Sequence, residues 1–269
     1  MSSGPEFRTD LYRGTAEFYD AFRIAYPEAV LADLCARARV SGSGRLLDLA
    51  CGTGQVTFGL ASQFTEVWAV DQEPEAIDFA RAKARALGTD NVRWIAGRAE
   101  DVDTDAQFEL VTIGNAFHRL PRRVVAEAAV RQLVPLGHLA LLWSNSPWDG
   151  QEPWQRVLAD ALEQWSQVAG TTGRVPAQLD EHLAAEPHTT VLEAAGFTVV
   201  GRFDFAAPYV WTVETLTGFM YSTSILSQPA LGPHVQNFAR DLRARLLEVE
   251  SAGIFREQIS FSYTLAAKP

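Results

Sequence analysis

The chain has 269 residues, 47% hydrophobic and 21% charged, with 23 lysines and arginines against 33 aspartates and glutamates, a formal charge of −10. That length suits one large α/β domain, or one domain with a modest cap, of ordinary globular composition. With no lysine- or arginine-rich block, the acidic balance argues against nucleic acid and anionic membranes as partners.

The first periodic segment, "PEAVLADLCARA" (27–38), has helical spacing with proline in its first turn. "GRLLDLA" (44–50) reads as a buried strand, followed by a glycine turn and the helix "QVTFGLASQF" (55–64). "EVWAVDQ" (66–72) is a second strand, and "PEAIDFARAKARALG" (74–88) a helix started by Pro74 and closed by Gly88. "VRWIAGR" (92–98) and "FELVTIGNAF" (108–117) are further strands. "RRVVAEAAVRQLVPLG" (122–137) reads as a helix and "HLALLWS" (138–144) as a fifth strand. This alternation predicts a doubly wound parallel sheet with helices on both faces.

Beyond residue 145 the rhythm changes. "EPWQRVLADALEQWSQVA" (152–169) is amphipathic with no strand directly after it, and "TVLEAAGFTVVGRFDF" (190–205) resumes the helix–strand pattern. Residues 206–252 read as mostly helical, and "EQISFSYTLAA" (257–267) as a closing strand. The expected organisation is a core over 1–145, 190–205 and 253–269. Helical insertions over 146–189 and 206–252 would form a lid beside the sheet. No repeat or low-complexity segment appears.

Cys35 and Cys51 form neither a metal spacing nor a disulfide framework, which suits a reducing cytoplasm. "MSSGPEFRTD" lacks the apolar core of a signal peptide, and the apolar runs fall short of the roughly 20 residues that span a bilayer. The expectation is a cytoplasmic protein, monomeric or homodimeric, without a metal.

The stretch "LLDLACGTGQ" (46–55) carries the chemistry. Open α/β sheets bind ligands at the carboxyl ends of their strands, and Gly52 and Gly54 let the backbone approach a ligand there. Asp71, ending the second strand, is placed to accept hydrogen bonds from ribose hydroxyls. These features alone also fit a nicotinamide dinucleotide. However, Thr57 stands where a third glycine would be, and Asp48 just before the turn repels a pyrophosphate and favours a cation. A ligand with a ribose, an ammonium and a sulfonium but no phosphate fits better, and S-adenosylmethionine is such a ligand.

"LLDLACGTGQ" resembles the first motif of class I S-adenosylmethionine-dependent methyltransferases. "VWAVDQEPEAIDFARAKA", "IAGRAEDV", "FELVTIGNAFHRL" and "EAAVRQLVPLGHLALLW" follow in that family's order. "EFYDAFRIAYPEAVL" and "VWTVETLTGFMYSTSIL" resemble the branch that includes trans-aconitate methyltransferases and bacterial small-molecule enzymes. The resemblance implies a Rossmann-like, seven-stranded, mostly parallel sheet with helical lid insertions. It also implies S-adenosyl-L-methionine as cofactor and S-adenosyl-L-homocysteine as product.

Carried over position by position, the resemblance implies that the backbone at Ala50, Gly52 and Gly54 holds the methionine portion, with Asp48 beneath. Asp71 takes the ribose, with Gln72 beside the adenine. Ala99 and Glu100 meet the adenine edge, and Asn115 offers its backbone carbonyl to the amino group. Tyr19 and Arg23 close over the cofactor, Arg23 pairing with its carboxylate. Arg98 departs from the family's usual aspartate, which bears on the adenine contacts.

The turn after the fourth strand faces the transferring methyl in this family, and His118 and Arg119 lie on it. His118 is either a general base or a residue packed against the cofactor. Arg119 either holds an anionic acceptor or joins Arg122 and Arg123 in a solvated basic cluster. Trp143, Trp148, Trp154, Trp165, Tyr209, Trp211, Phe219 and Tyr221 are candidates for an aromatic acceptor wall. His182 and His188, in a loop-like stretch, are candidates for a second base. The implied activity is methylation of a small organic acceptor at oxygen or carbon, anionic or aromatic, in a setting such as secondary metabolism. The alternative is a cofactor-binding fold turned to cyclisation or decarboxylation.

Overall fold

Leu46 and Leu47 are both fully buried yet point to opposite faces of one strand, so that strand must be covered on both sides. In the computed structural model, which describes residues 7–269, the strands are β1 (Arg45–Leu49), β2 (Glu66–Asp71), β3 (Val92–Ala96), β4 (Phe108–Gly114), β5 (Leu133–Ser144), β6 (Thr198–Thr212) and β7 (Ile254–Ala267). They form one sheet in the order β3-β2-β1-β4-β5-β7-β6, with β7 antiparallel to both neighbours and the first five parallel. Part of the segment read above for a signal, residues 1–6, lies outside the described residues.

The helices are α1 (Ala16–Phe22), α2 (Glu28–Arg37), α3 (Gln55–Leu60), α4 (Pro74–Leu87), α5 (Arg122–Gln132), α6 (Pro153–Val168), α7 (Leu179–Ala185), α8 (His188–Ala194), α9 (Val213–Tyr221), α10 (Gln228–Leu231) and α11 (Val235–Val249). On one face Leu34 of α2, Leu60 of α3 and Leu158 of α6 pack with Leu46, together with residues of α9 and α11. On the other, Val125 of α5 and Val191 of α8 pack with Leu47 and Val111. Strand order reverses between β1 and β4, and a crevice opens at their carboxyl ends.

Three elements differ from the expectation. The helix from residue 122 ends at Gln132, and residues 133–137 instead begin β5. Pro135 has no N–H for a helix ladder and Leu136 adopts φ 63°, so the helical-looking apolar pattern could not continue. The sixth strand runs seven residues past 205, because Ala206–Thr212 pairs with Ile254–Ser260 of β7. Pro208 is tolerated there because β6 is an edge strand. Finally, the stretch carrying His182 and His188 is two short helices, α7 and α8, not a loop.

Candidate active site

The crevice holds a cavity of about 730 Å³, floored by the carboxyl ends of β1, β2 and β4 and roofed by residues 7–19. Its back wall is the glycine turn. Ala50, Gly52 and Gly54 all take left-handed φ values (54°, 55° and 89°), which wrap the chain tightly around its end of β1. Ala50 is not a glycine, so this turn stores backbone strain of the kind that clusters at ligand sites. The Asp71 carboxylate braces it: the Gly52 N–H donates to Oδ2 at 2.7 Å and the Glu73 N–H to Oδ1 at 2.9 Å. Each oxygen keeps a lone pair for a ligand in the cavity, and burial raises the Asp71 pKa.

Asp48 does not face this cavity. It is 1% exposed and accepts from Thr57 Oγ1 at 2.5 Å and Thr112 Oγ1 at 2.8 Å, tying α3 and β4 together under the turn. Burial lifts its carboxyl to about 6. Thr57, noted above only as a missing glycine, is therefore the donor that holds Asp48. Asp48 does line a second, small cavity of about 20 Å³ behind the turn, with Tyr19, Tyr26, Ala50 and Asn115. Gly54 lines neither cavity. A Cβ there would sit 2.7 Å from Trp94 and 2.9 Å from Phe58, so its role is close packing.

Gln72, Glu73, Arg98, Ala99 and Glu100 line the end of the cavity beyond Asp71. Arg98 Nε donates to Glu100 Oε1 at 2.6 Å, so the departure at residue 98 neutralises the neighbouring carboxylate. Glu73, which no motif singled out, is 6% exposed, and its Oε1 has no partner among the described residues. Asn115 directly follows β4 at φ 50°, locked by a reciprocal pair: its Nδ2 donates to Ser144 Oγ and the Ser144 N–H to its Oδ1, both at 3.0 Å.

Arg23 departs from the role the resemblance implies. Its guanidinium turns from both cavities toward α9, where Nε donates to Ser222 Oγ at 2.8 Å. Its charge lies 4.5 Å over the Phe219 ring and 5.1 Å over Tyr19. Aromatic faces and a hydroxyl satisfy the half-buried cation there. Tyr19 itself lines both cavities.

At the opposite end, His118 and Arg119 sit on a single 3₁₀ turn (Phe117–Arg119) after β4. Arg119 Nε donates to His118 Nε2 at 2.9 Å, which occupies that nitrogen's lone pair and leaves the ring proton on Nδ1. Burial, with Arg119, His188 and Arg122 nearby, drives the His118 pKa down to about 3. A base of that strength is poorly matched to neutral pH. Beside it, Arg122 is 6% exposed; it donates to the Glu186 carbonyl oxygen (2.7 Å) and carboxylate (3.2 Å) and lies 2.9 Å from His182 Nε2. Arg123 pairs with the same carboxylate. Arg122 was legible only as part of a basic cluster; its partners lie some sixty residues away and carry no local signal.

Of the proposed aromatic wall, no member lines the cavity; the rings that do are Phe7, Tyr12 and Tyr19 of the N-terminal segment. Trp154 packs on Phe255, Trp165 on Phe238 and Trp211 on Phe219, forming core beneath α6, α9 and α11. Trp143 reaches the site's edge, with its ring 5.7 Å from His118. From the two insertions only His182 and Glu186, both in the first, reach the cavity. Among the described residues no helix is long and apolar enough to cross a membrane, and no cluster of histidines, cysteines and carboxylates could hold a metal.

The donor and acceptor set fits a ribose-bearing sulfonium amino acid. The buried hydroxyls of Thr53 and Tyr26 lack partners among the described residues and flank the glycine turn, and Asp71 offers its free lone pairs. Residues 46–137 match the family described as a methyltransferase domain. Residues 46–137 thus carry a methyltransferase domain, and S-adenosylmethionine is the methyl donor that this domain and fold imply.

An uncharacterised methyltransferase of Schizosaccharomyces pombe is 28% identical over 84% of this chain and 81% of its own length. One of Mycobacterium tuberculosis is 34% identical over 54% of this chain, a match spanning about half (55%) of that relative. A candidate type II methyltransferase from Anaeromyxobacter dehalogenans shares the fold at TM-score 0.60, with 20% identity over 92% of this chain and 97% of its own. A [4+2]-cyclase shares it at 0.54, with 17% identity over 92% and 84%.

Proposed function

We propose that this protein transfers the methyl group of S-adenosylmethionine to a small organic acceptor, at oxygen or carbon. The observation that carries this reading is a cavity with two chemically distinct ends. One end is acidic and built on the glycine turn; the other is lined by arginines and histidines under an aromatic roof. In this reading Asp71 holds the ribose hydroxyls, and Gln72, Ala99 and Glu100 border the adenine. Ala50, Gly52 and Tyr19 enclose the methionine portion, while the Asn115 carbonyl receives its ammonium. Asp48 and Gly54 act indirectly, by fixing the turn. The bound cofactor supplies an electrophilic methyl on a sulfonium, so the protein's task is to align the acceptor and exclude water. Residues 7–19 close the roof, which suits a small acceptor better than a polynucleotide.

The test is incubation of the purified protein with methyl-labelled cofactor and metabolite extract, with mass spectrometry for any compound gaining one methyl. Calorimetry with S-adenosylhomocysteine runs in parallel. A labelled product supports the reading; cofactor binding without any label in extracts of varied origin favours chemistry other than methyl transfer. Asp71→Ala should weaken S-adenosylhomocysteine by about tenfold or more, since charge-assisted hydrogen bonds are worth ~1.5–3 kcal/mol. Unchanged affinity would remove Asp71 from the ribose.

A further inference from the structure

We propose that Arg119 is the specificity-determining residue of the acceptor end, where it takes a singly charged anionic group, a carboxylate, with His118 as its positioning partner. This rests on the methyl-transfer reading above and deepens it.

Charge at the cavity wall is unevenly paired. Five arginines line it: Arg8, Arg98, Arg119, Arg122 and Arg123. Four are spoken for. Arg8 pairs with Asp10, Arg98 with Glu100, and Arg122 and Arg123 share Glu186. Arg119 has no acidic partner among the described residues, and its Nη1 is buried without any hydrogen bond. A buried guanidinium nitrogen with no acceptor is destabilising unless a ligand supplies one.

The geometry around Arg119 restricts what that ligand can be. Its Nε is already committed to His118 Nε2 at 2.9 Å, and its charge rests 4.9 Å over the Tyr12 ring. The His118 bond and the Tyr12 face hold the guanidinium plane while the terminal nitrogens make no hydrogen bond among the described residues, an arrangement that matches the two oxygens of a carboxylate. One uncompensated positive charge balances one negative group. A doubly charged phosphate would need a second arginine, and both candidates are held by Glu186.

His118 is thus a holder of Arg119 and not a proton acceptor: the nitrogen that would take a proton already accepts one from Arg119. Because α5 begins at this wall with two arginines and no acidic residue in its first turn, the helix end adds a further field favouring an anion.

The experiment uses the S-adenosylhomocysteine complex of the full chain, with acetate as the anionic probe and acetamide as its neutral counterpart. Arginine Nε–H resonances are followed by NMR. One resonance, absent from Arg119→Gln, should shift saturably with acetate and not with acetamide. Arg119→Gln should weaken acetate by about tenfold or more, with Arg119→Lys in between. His118→Leu should weaken acetate while His118→Gln, which keeps an acceptor for Nε, restores it. An acetate response equal to that of acetamide, or one that persists in Arg119→Gln, overturns the proposal. So does equal behaviour of the two His118 variants. Failure of S-adenosylhomocysteine to bind would sink the cofactor reading instead, and calorimetry on the same sample tells the two apart.

Discussion

Replacing His118 by glutamine should change how stability depends on pH, by an amount the structure sets. In the unfolded chain the imidazole titrates near its ordinary 6.5, but in the fold it stays neutral down to about 3, because it is buried among Arg119, Arg122 and His188. Between those values the unfolded state binds the extra proton, so stability rises with pH. The contribution is complete above pH 6.5 and is lost as pH falls toward 3. At pH 5, roughly 1.5 pH units below the unfolded value, the loss is about 2 kcal/mol at ~1.36 kcal/mol per unit. His188, lowered to about 4, acts in the same direction, and Asp48, raised to about 6, acts in the opposite one. Both are present in the variant and cancel in the comparison. Urea denaturation of the two proteins at pH 8 and pH 5 reads the difference. The native protein should lose about 2 kcal/mol more than His118→Gln on acidification. Parallel losses would mean that His118 titrates normally in the folded protein, and the case against it as a base would fall with them.

Two other substitutions probe the glycine turn. Gly54→Ala must adopt φ 89° and place a Cβ 2.7 Å from Trp94, so it should cost about 2–4 kcal/mol of stability, read by chemical denaturation. A cost below about 0.5 kcal/mol would show that the turn relaxes freely. Asp48→Asn removes a carboxyl whose folded pKa lies above its unfolded 3.8, at about 6. Stability of the native protein should therefore fall relative to this variant as pH rises through that window, by up to about 3 kcal/mol, and a flat difference from pH 4 to 7 would contradict the burial argument.

Much of the cofactor end was legible because it is local. Gly52, Asp71 and Gln72 lie at strand ends that their own apolar patterns locate, and the structure sets them on one cavity wall. The acceptor end was not legible in the same way. Arg119 is adjacent to His118 in the chain, but that their side chains bond to each other depends on the 3₁₀ turn that carries them. Arg23 was assigned to the cofactor by analogy, and its partner Ser222 stands 199 residues away. The aromatic residues of the insertions looked like a ligand wall because sequence records only that they are large and apolar. Whether such a ring faces a cavity or a core depends on which helix packs over it.

The alternation of buried strands and amphipathic helices, and the identity of the turn after β1, are legible in the amino-acid order alone. Both follow from short-range rules: side-chain period, helix caps and the steric freedom of glycine. Which charges remain unpaired at the cavity depends on the packing of distant segments. Glu186 reaches Arg122 and Arg123 through α7 and α8, and Arg119 is left without a carboxylate among the described residues. Pairing of that kind is settled by distances between residues far apart in the chain, and those distances exist only once the sheet has brought α5 and α8 onto the same face.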